Sequence, residues 1–306
     1  MKLMEKHPLV MIIIGIAGIS LSAIFVKYSQ APSVVTALYR LMWTVALMTP
    51  VVLGRKDCRR ELRETDRKTV LLCGASGVFL ALHFTAWFES LNQTSVASST
   101  AIVCTEVIWV ALGYCLFMKG KISVPAGVSI LVTVGGSLLI AFSDYSAGGN
   151  HLYGDVLALA AAVFCAVYTL IGRQARGYMS TTIYTYIVYV FCALALGLAT
   201  AFSGLAFTGY GVRSVVVGLL LSVCSTLLGH SIFSWCLKFF SPSFVSASKL
   251  CKGHFFVSSP GAGGACGCCC LCAFSVQGST RAPADSGGCG DNRGRSPLFS
   301  GGKERK

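Results

Sequence analysis

The chain has 306 residues, 54% of them hydrophobic and only 12% charged, with a mean hydropathy of +0.70. Globular chains carry about 25% charged residues and cannot hide this much apolar surface, so a soluble domain is excluded. Twenty-five Lys and Arg against twelve Asp and Glu leave +13, which in a polar protein would suggest nucleic acid; here the basic residues fall in short gaps between apolar runs, so no nucleic-acid partner is expected and the charge reads as membrane topology.

Crossing a hydrocarbon layer about 30 Å thick takes about 20 mostly apolar residues in a helix. Eight runs qualify: Leu9–Phe25, Ser33–Leu53, Thr69–Phe88, Thr94–Phe117, Ile122–Phe142, Leu152–Ile171, Thr181–Phe202 and Val212–Leu237. The first is not expected to be a cleaved signal peptide, because it is long, lacks an Ala-x-Ala type site and leads through Gln30-Ala31-Pro32 straight into the second. Alternating the sides of the eight spans puts fourteen basic residues on one side, seven of them in Arg55–Lys68, and only Lys27 and Arg213 on the other. The positive-inside rule then places the N-terminus in the cytoplasm and the chain in the cell (plasma or inner) membrane. Arg55–Lys68, with four interspersed acids, reads as a solvated topogenic loop rather than a regulatory or lipid site. Of fifteen Cys, eight lie singly before position 251, and all of these but Cys58 sit in apolar runs as small hydrophobes.

The two halves look alike when shifted by 148 positions: Trp87, Ser95 and Ser98 fall on Trp235, Ser243 and Ser246, and His83 falls one position from His230. Five spans separate equivalent points, an odd number, so the second copy is inverted, the arrangement that places a substrate site between repeats near the midplane.

Gly15-Ile-Ala-Gly-Ile-Ser-Leu-Ser-Ala-Ile-Phe-Val-Lys27, Ala31-Pro32-Ser-Val-Val-Thr-Ala-Leu-Tyr-Arg40 and Thr94-Ser-Val-Ala-Ser-Ser-Thr100 resemble the EamA repeat of the drug/metabolite transporter superfamily. Gly229-His-Ser-Ile-Phe-Ser-Trp235 and Ser241-Pro-Ser-Phe-Val-Ser-Ala-Ser248 resemble the matching stretch of its second repeat. The resemblance covers about residues 8–251. It implies an all-α integral membrane protein of ten helices in two inverted five-helix repeats, residues 8–142 and an incomplete 151–251, that moves small metabolites, often outward. One departure is Gly120 in Met118-Lys-Gly-Lys121, where the family commonly has Glu after the fourth helix.

A family member would finish a ninth helix after Lys249-Leu250-Cys251 and add a tenth, yet Lys252–Lys306 is Gly- and Cys-rich and contains Cys266-Gly-Cys-Cys-Cys-Leu-Cys272. Read one base forward, any Cys-Cys or Cys-Gly pair (TGY followed by T or G) becomes Val or Ala, and Asp291-Asn292-Arg293 becomes Ile or Thr when the Arg codon begins with C. The tail is therefore expected to be out of frame from near Cys251, which disrupts helices nine and ten. Two other readings stand beside this one: a low-complexity tail, and a metal or redox site on Cys266, Cys268, Cys269, Cys270 and Cys272. For the latter the spacing fits poorly, because structural zinc sites pair C-x₂₋₄-C with a distant second pair.

An ionisable residue at mid-bilayer is a functional hypothesis by default. Arg40 lies seven residues into the second span and Glu106 about twelve into the fourth. The position 148 after Arg40 is Val188, so the halves are asymmetric there. Arg40 matches the Arg commonly found in the family's second helix. A fork-shaped guanidinium can hold a carboxylate or phosphate, and Glu106 can carry a proton or face an ammonium group. Against this, Arg40 and Glu106, or Arg40 and helix carbonyls, can simply satisfy one another. His83 and His230 read as a proton relay or, more simply, as hydrogen bonds between helices. Trp87, Trp235, Tyr184, Tyr186 and Tyr189 can line a cavity or anchor helix ends at the interface. Small residues such as Gly15, Gly18, Ser98 and Ala158 read as helix packing.

The function expected is a multi-pass secondary transporter, an exporter of small metabolites such as amino acids by alternating access. Its partners are a small-molecule substrate, the lipid bilayer and protons as coupling ion, with no cofactor; oligomeric state is beyond the sequence. No GxxxxGK[ST] loop is present to bring ATP. The alternatives are a membrane-embedded lipid-handling enzyme, for which the five His are too scattered, and the inactive product of a disrupted transporter gene. Sequencing the gene across codons 245–306 is expected to show that one missing or extra base restores Val/Ala/Leu-rich helices nine and ten; stop codons in the frame one base forward remove that expectation.

Overall fold

The apolar surplus of the composition faces outward. Ile13, Leu71, Leu116, Leu194 and Val212 are exposed, whereas Thr44, Ser76, Ser90, Ser99, Thr200, Ser222 and Ser225 are buried. This inversion suits a hydrocarbon solvent, in which polar groups find partners only inside the protein. The computed structural model describes residues 8–120 and 151–249, with scattered positions between 122 and 139. Among the described residues, seven helices are long and apolar enough to cross a membrane: Val10–Tyr28, Ser33–Gly54, Arg67–Gln93, Val96–Met118, Leu152–Ala175, Thr181–Phe202 and Gly211–Cys236. They coincide with seven of the eight expected runs, extended by a few residues at several ends. The remaining run, Ile122–Phe142, is described only at scattered positions, and residues 250–306 with the Cys tract and the expected change of frame lie outside the described residues. The spans keep their expected numbers here, one to four and six to eight; a short helix, Pro242–Ser248, stands where the ninth is expected.

Bonds between helix ends show how the halves are disposed. At one end Gln30 N donates to Ser214 Oγ (3.1 Å), Ser33 Oγ donates to the Glu89 carboxylate (2.7 Å), and His151 Nδ1 donates to Gln93 O (3.4 Å). At the other, Ser180 N meets Glu61, and the Arg173 guanidinium donates to Leu237 O. The first span thus finishes at the end where the sixth begins, so the two run in opposite directions. Neighbours follow the same symmetry. The third span packs on the sixth as the eighth packs on the first, and the third meets the seventh as the eighth meets the second.

The register of the repeat differs from the expected 148. Ser95 Oγ accepts from Ser98 N at the start of the fourth span, and Ser241 Oγ accepts from Phe244 N at the start of the ninth helix; these caps are 146 positions apart. Backbone capping, rather than the Trp and Ser identities, therefore sets the structural correspondence. It removes Trp235 as the counterpart of Trp87 and puts Phe233 in that place.

Two glycines let the crossings close. A Cβ at Gly77 of the third span would stand 2.6 Å from Val188 O of the seventh, and one at Gly218 of the eighth would stand 2.7 Å from Tyr39 Cβ of the second. The Gly120 departure also has a local reason. The fourth span ends with Lys119 at φ 50, and both Lys119 N and Gly120 N (3.0 Å) bond back to Tyr114 O, so the last turn closes through a left-handed residue. A Cβ at Gly120 would collide with the Tyr114 ring folded over it. Ahead of the third span Asp66 caps the helix, and the Thr69 hydroxyl and the Thr69 and Lys68 amides hold its carboxyl below the usual range.

Gly77→Ala is expected to lower thermal stability in detergent by about 1–3 kcal/mol through overpacking. Gly197→Ala, where a Cβ meets nothing within 4 Å, is expected to leave stability unchanged or raise it by about 0.5–1 kcal/mol; equal melting shifts for the two contradict the crossing.

Candidate functional site

Three spans that read as uninterrupted apolar runs prove irregular at mid-membrane. The first is broken into Pro8–Ser20 and Ser22–Tyr28, and the fourth into Val96–Val103 and Glu106–Met118. The eighth is π-helical over Leu221–His230. Irregular backbone at this depth is tolerated where it is buried in protein or lines a cavity, and π-helical turns occur often at functional sites. The three irregularities meet at one cavity, to which they contribute Ser22, Glu106 and His230.

Each irregularity aims particular groups. The turn at Cys104–Thr105 starts a new helix at Glu106, so its carboxylate sits in a first turn, where the helix dipole favours negative charge. The π-helical stretch turns Ser222, Ser225, Thr226, Gly229 and His230 inward together, and all are buried. Ser222 Oγ accepts from Thr44 Oγ1 (2.9 Å), Thr226 Oγ1 accepts from Arg40 Nε (2.6 Å), and Ser225 Oγ donates to Gly18 O (3.3 Å).

The cavity measures about 30 Å³, room for about two waters. His83 and Trp87 of the third span, Glu106 of the fourth, His230 and Phe233 of the eighth, and Lys249 just past the ninth helix line it. Lys249 Nζ donates to Glu106 Oε1 at 2.8 Å, and both side chains are buried. The same ammonium lies 5.5 Å from the centre of the Phe233 ring. His83 Nδ1 stands 2.9 Å from Ala161 O; a carbonyl only accepts, so Nδ1 carries the hydrogen. The His83 ring stacks on Trp87 with centroids 6.1 Å apart and meets His230 edge-on at 6.2 Å.

Of the residues singled out in the sequence, His83, Trp87, Glu106 and His230 are brought together in this cavity. Arg40 is fully buried beside it but outside its lining, and it does not pair with Glu106, whose partner is Lys249. Tyr184 and Trp235 lie elsewhere. Tyr184 bonds Ser76 (2.9 Å) between the third and seventh spans, and Trp235 packs on Phe239 with centroids 4.7 Å apart. Tyr186 and Tyr189 bond Thr49 (3.2 Å) and Ser231 (3.0 Å), so they hold helices to one another.

Lys249 and Phe233 were missed. The signal in the sequence is a lysine directly after the apolar stretch Ser243-Phe-Val-Ser-Ala-Ser248, at the edge of the abrupt change in composition. Among the described residues, no group of three or more His, Cys, Asp or Glu is placed to hold a metal.

The described residues form an all-helical, multi-pass bundle with an ion pair in an internal cavity, and comparisons with known proteins point to the class. Residues 7–142 match the EamA-like transporter family. An uncharacterized transporter of Clostridium kluyveri is 22% identical over 229 residues, 73% of this chain and 72% of its own. A solved crystal structure superposes with a TM-score of 0.63 over 89% of this chain and 95% of that one; at 14% identity the likeness shows the fold alone. Residues 7–142 are therefore an EamA-family domain, of the drug/metabolite transporter superfamily, within a chain whose helices make it a multi-pass membrane protein similar to transporters.

Removing one member of a buried ion pair strands the other charge. Lys249→Met is expected to lower stability by about 3–5 kcal/mol, and the double variant with Glu106→Gln to recover most of that loss. Melting curves of the single and double variants in detergent check this, and additive losses contradict it.

Proposed function

We propose that this transporter moves a small polar metabolite, such as an amino acid or a related compound, out of the cell by alternating access. The observation that carries the reading is the Glu106–Lys249 pair, one residue from each half, joined at 2.8 Å in a cavity too narrow for any metabolite. In this closed arrangement the two charges satisfy one another. Polar groups of an entering substrate replace that internal contact with external ones, so the halves separate at low net electrostatic cost and can close again on the other side. The membrane is the plasma or inner membrane, and the N-terminus faces the cytoplasm, as the imbalance of fourteen basic residues against two supports.

Protons are the coupling ion in this reading. Glu106 carries the proton step: protonation cancels its attraction for Lys249 and frees the cavity to open. His83 Nε2 and His230 stand along the same wall, with rings 6.2 Å apart, and can pass a proton to it. In proteoliposomes, Glu106→Gln is expected to abolish the pH dependence of flux while the chain remains folded. Flux with an unaltered pH response removes Glu106 from the mechanism.

A further inference from the structure

Arg40 has no part in the mechanism above, yet it is the largest fully buried side chain of the described residues. Nε donates to Thr226 Oγ1 at 2.6 Å, but Nη1 and Nη2 have no hydrogen-bond partner among the described residues. The guanidinium carbon lies 4.0 Å from the centre of the Phe84 ring. Phe84 in turn meets His230, which lines the cavity, edge-on with centroids 5.2 Å apart. One aromatic ring thus touches both the guanidinium and a residue of the cavity wall.

The charges of this region do not balance. Among the described residues, the buried Lys, Arg, Asp and Glu side chains are Arg40 and Lys249 against Glu106 alone, with the imidazoles of His83 and His230 buried beside them. Glu106 is engaged by Lys249 at 2.8 Å, which leaves Arg40 as the excess cation. Attraction to the face of Phe84 is worth about 2 kcal/mol when desolvated, which does not replace an anion at membrane depth. Two terminal N–H groups on one edge of a planar fork match the two oxygens of a carboxylate.

We propose that Arg40 is a second binding point for the cargo, and that the cargo is a small organic monoanion whose carboxylate takes Nη1 and Nη2 when the Phe84 ring turns aside. This rests on the transporter reading above and replaces its example, a zwitterionic amino acid, with a monoanionic acid. A single net negative charge brings the buried total to neutrality, whereas a zwitterion leaves the excess standing and a cation adds to it. The aromatic lining from Trp87 and Phe233 suits an apolar body attached to the carboxylate.

The test uses the full chain in detergent with three probes of one aryl skeleton: 3-phenylpropionate, phenylalanine and phenethylamine, which are anionic, zwitterionic and cationic at neutral pH. Equilibrium binding is expected to favour 3-phenylpropionate by at least about tenfold, and Arg40→Gln to erase that preference. Arg40→Lys keeps the charge without the fork and is expected to restore part of it, which also covers the case in which Arg40→Gln does not fold. An anion that binds no better than the other two, or a preference that survives Arg40→Gln, overturns the assignment. The two readings fail separately. Flux that depends on Glu106 with no ranking by charge keeps the transporter and removes the anion site; a ranking without flux does the reverse.

Discussion

Hydrocarbon offers no hydrogen bonds, and most of this architecture follows from that constraint. Each polar group carried into the membrane needs a partner within the protein. The hydroxyls of Thr44 and Ser222, of Ser76 and Tyr184, and of Tyr189 and Ser231 pair across helices. The Glu106–Lys249 bond is the ionic case of the same rule, and it joins the two halves of the molecule at the point where they enclose a cavity. A buried pair of this kind adds little to stability compared with apolar packing. Its presence makes better sense as a contact meant to be exchanged.

Irregular backbone and site coincide for a connected reason. A regular helix keeps its backbone groups to itself and offers a smooth surface. A break at Cys104–Thr105 and a π-helical run at Leu221–His230 instead turn a carboxylate and a set of hydroxyls toward one space. Close crossings at Gly77 and Gly218 bring the helices near enough for those groups to meet. Most helix packing runs between the halves, third span on sixth and seventh and eighth span on first and second, and one apolar core takes residues from both.

Much of the fold was legible in the sequence because hydrophobic run length and charge between runs act locally. Seven of the eight expected spans lie where the described helices stand, and inversion followed from an odd number of crossings. Within the site, His83, Trp87, Glu106 and His230 drew notice because a polar or aromatic side chain in an apolar run is conspicuous. Trp235 drew notice for a similar reason but belongs to another environment, since a two-residue shift of register turns it away and brings Phe233 inward. An identity of residue type at a fixed offset carries no information about such a shift; a helix cap does.

The sequence by itself determined that the chain is a helical membrane protein, how its spans alternate, and which residues are too polar for their surroundings. These follow from transfer energies of single residues and segments, which need no knowledge of neighbours. Only the tertiary structure decided partnership: that Glu106 meets Lys249 rather than Arg40, that Arg40 lies on Phe84, and that Tyr184 holds helices together instead of lining the cavity. Pairing across helices depends on distances of a few ångströms between residues 44 to 143 positions apart, and the local hydropathy of a chain does not encode them.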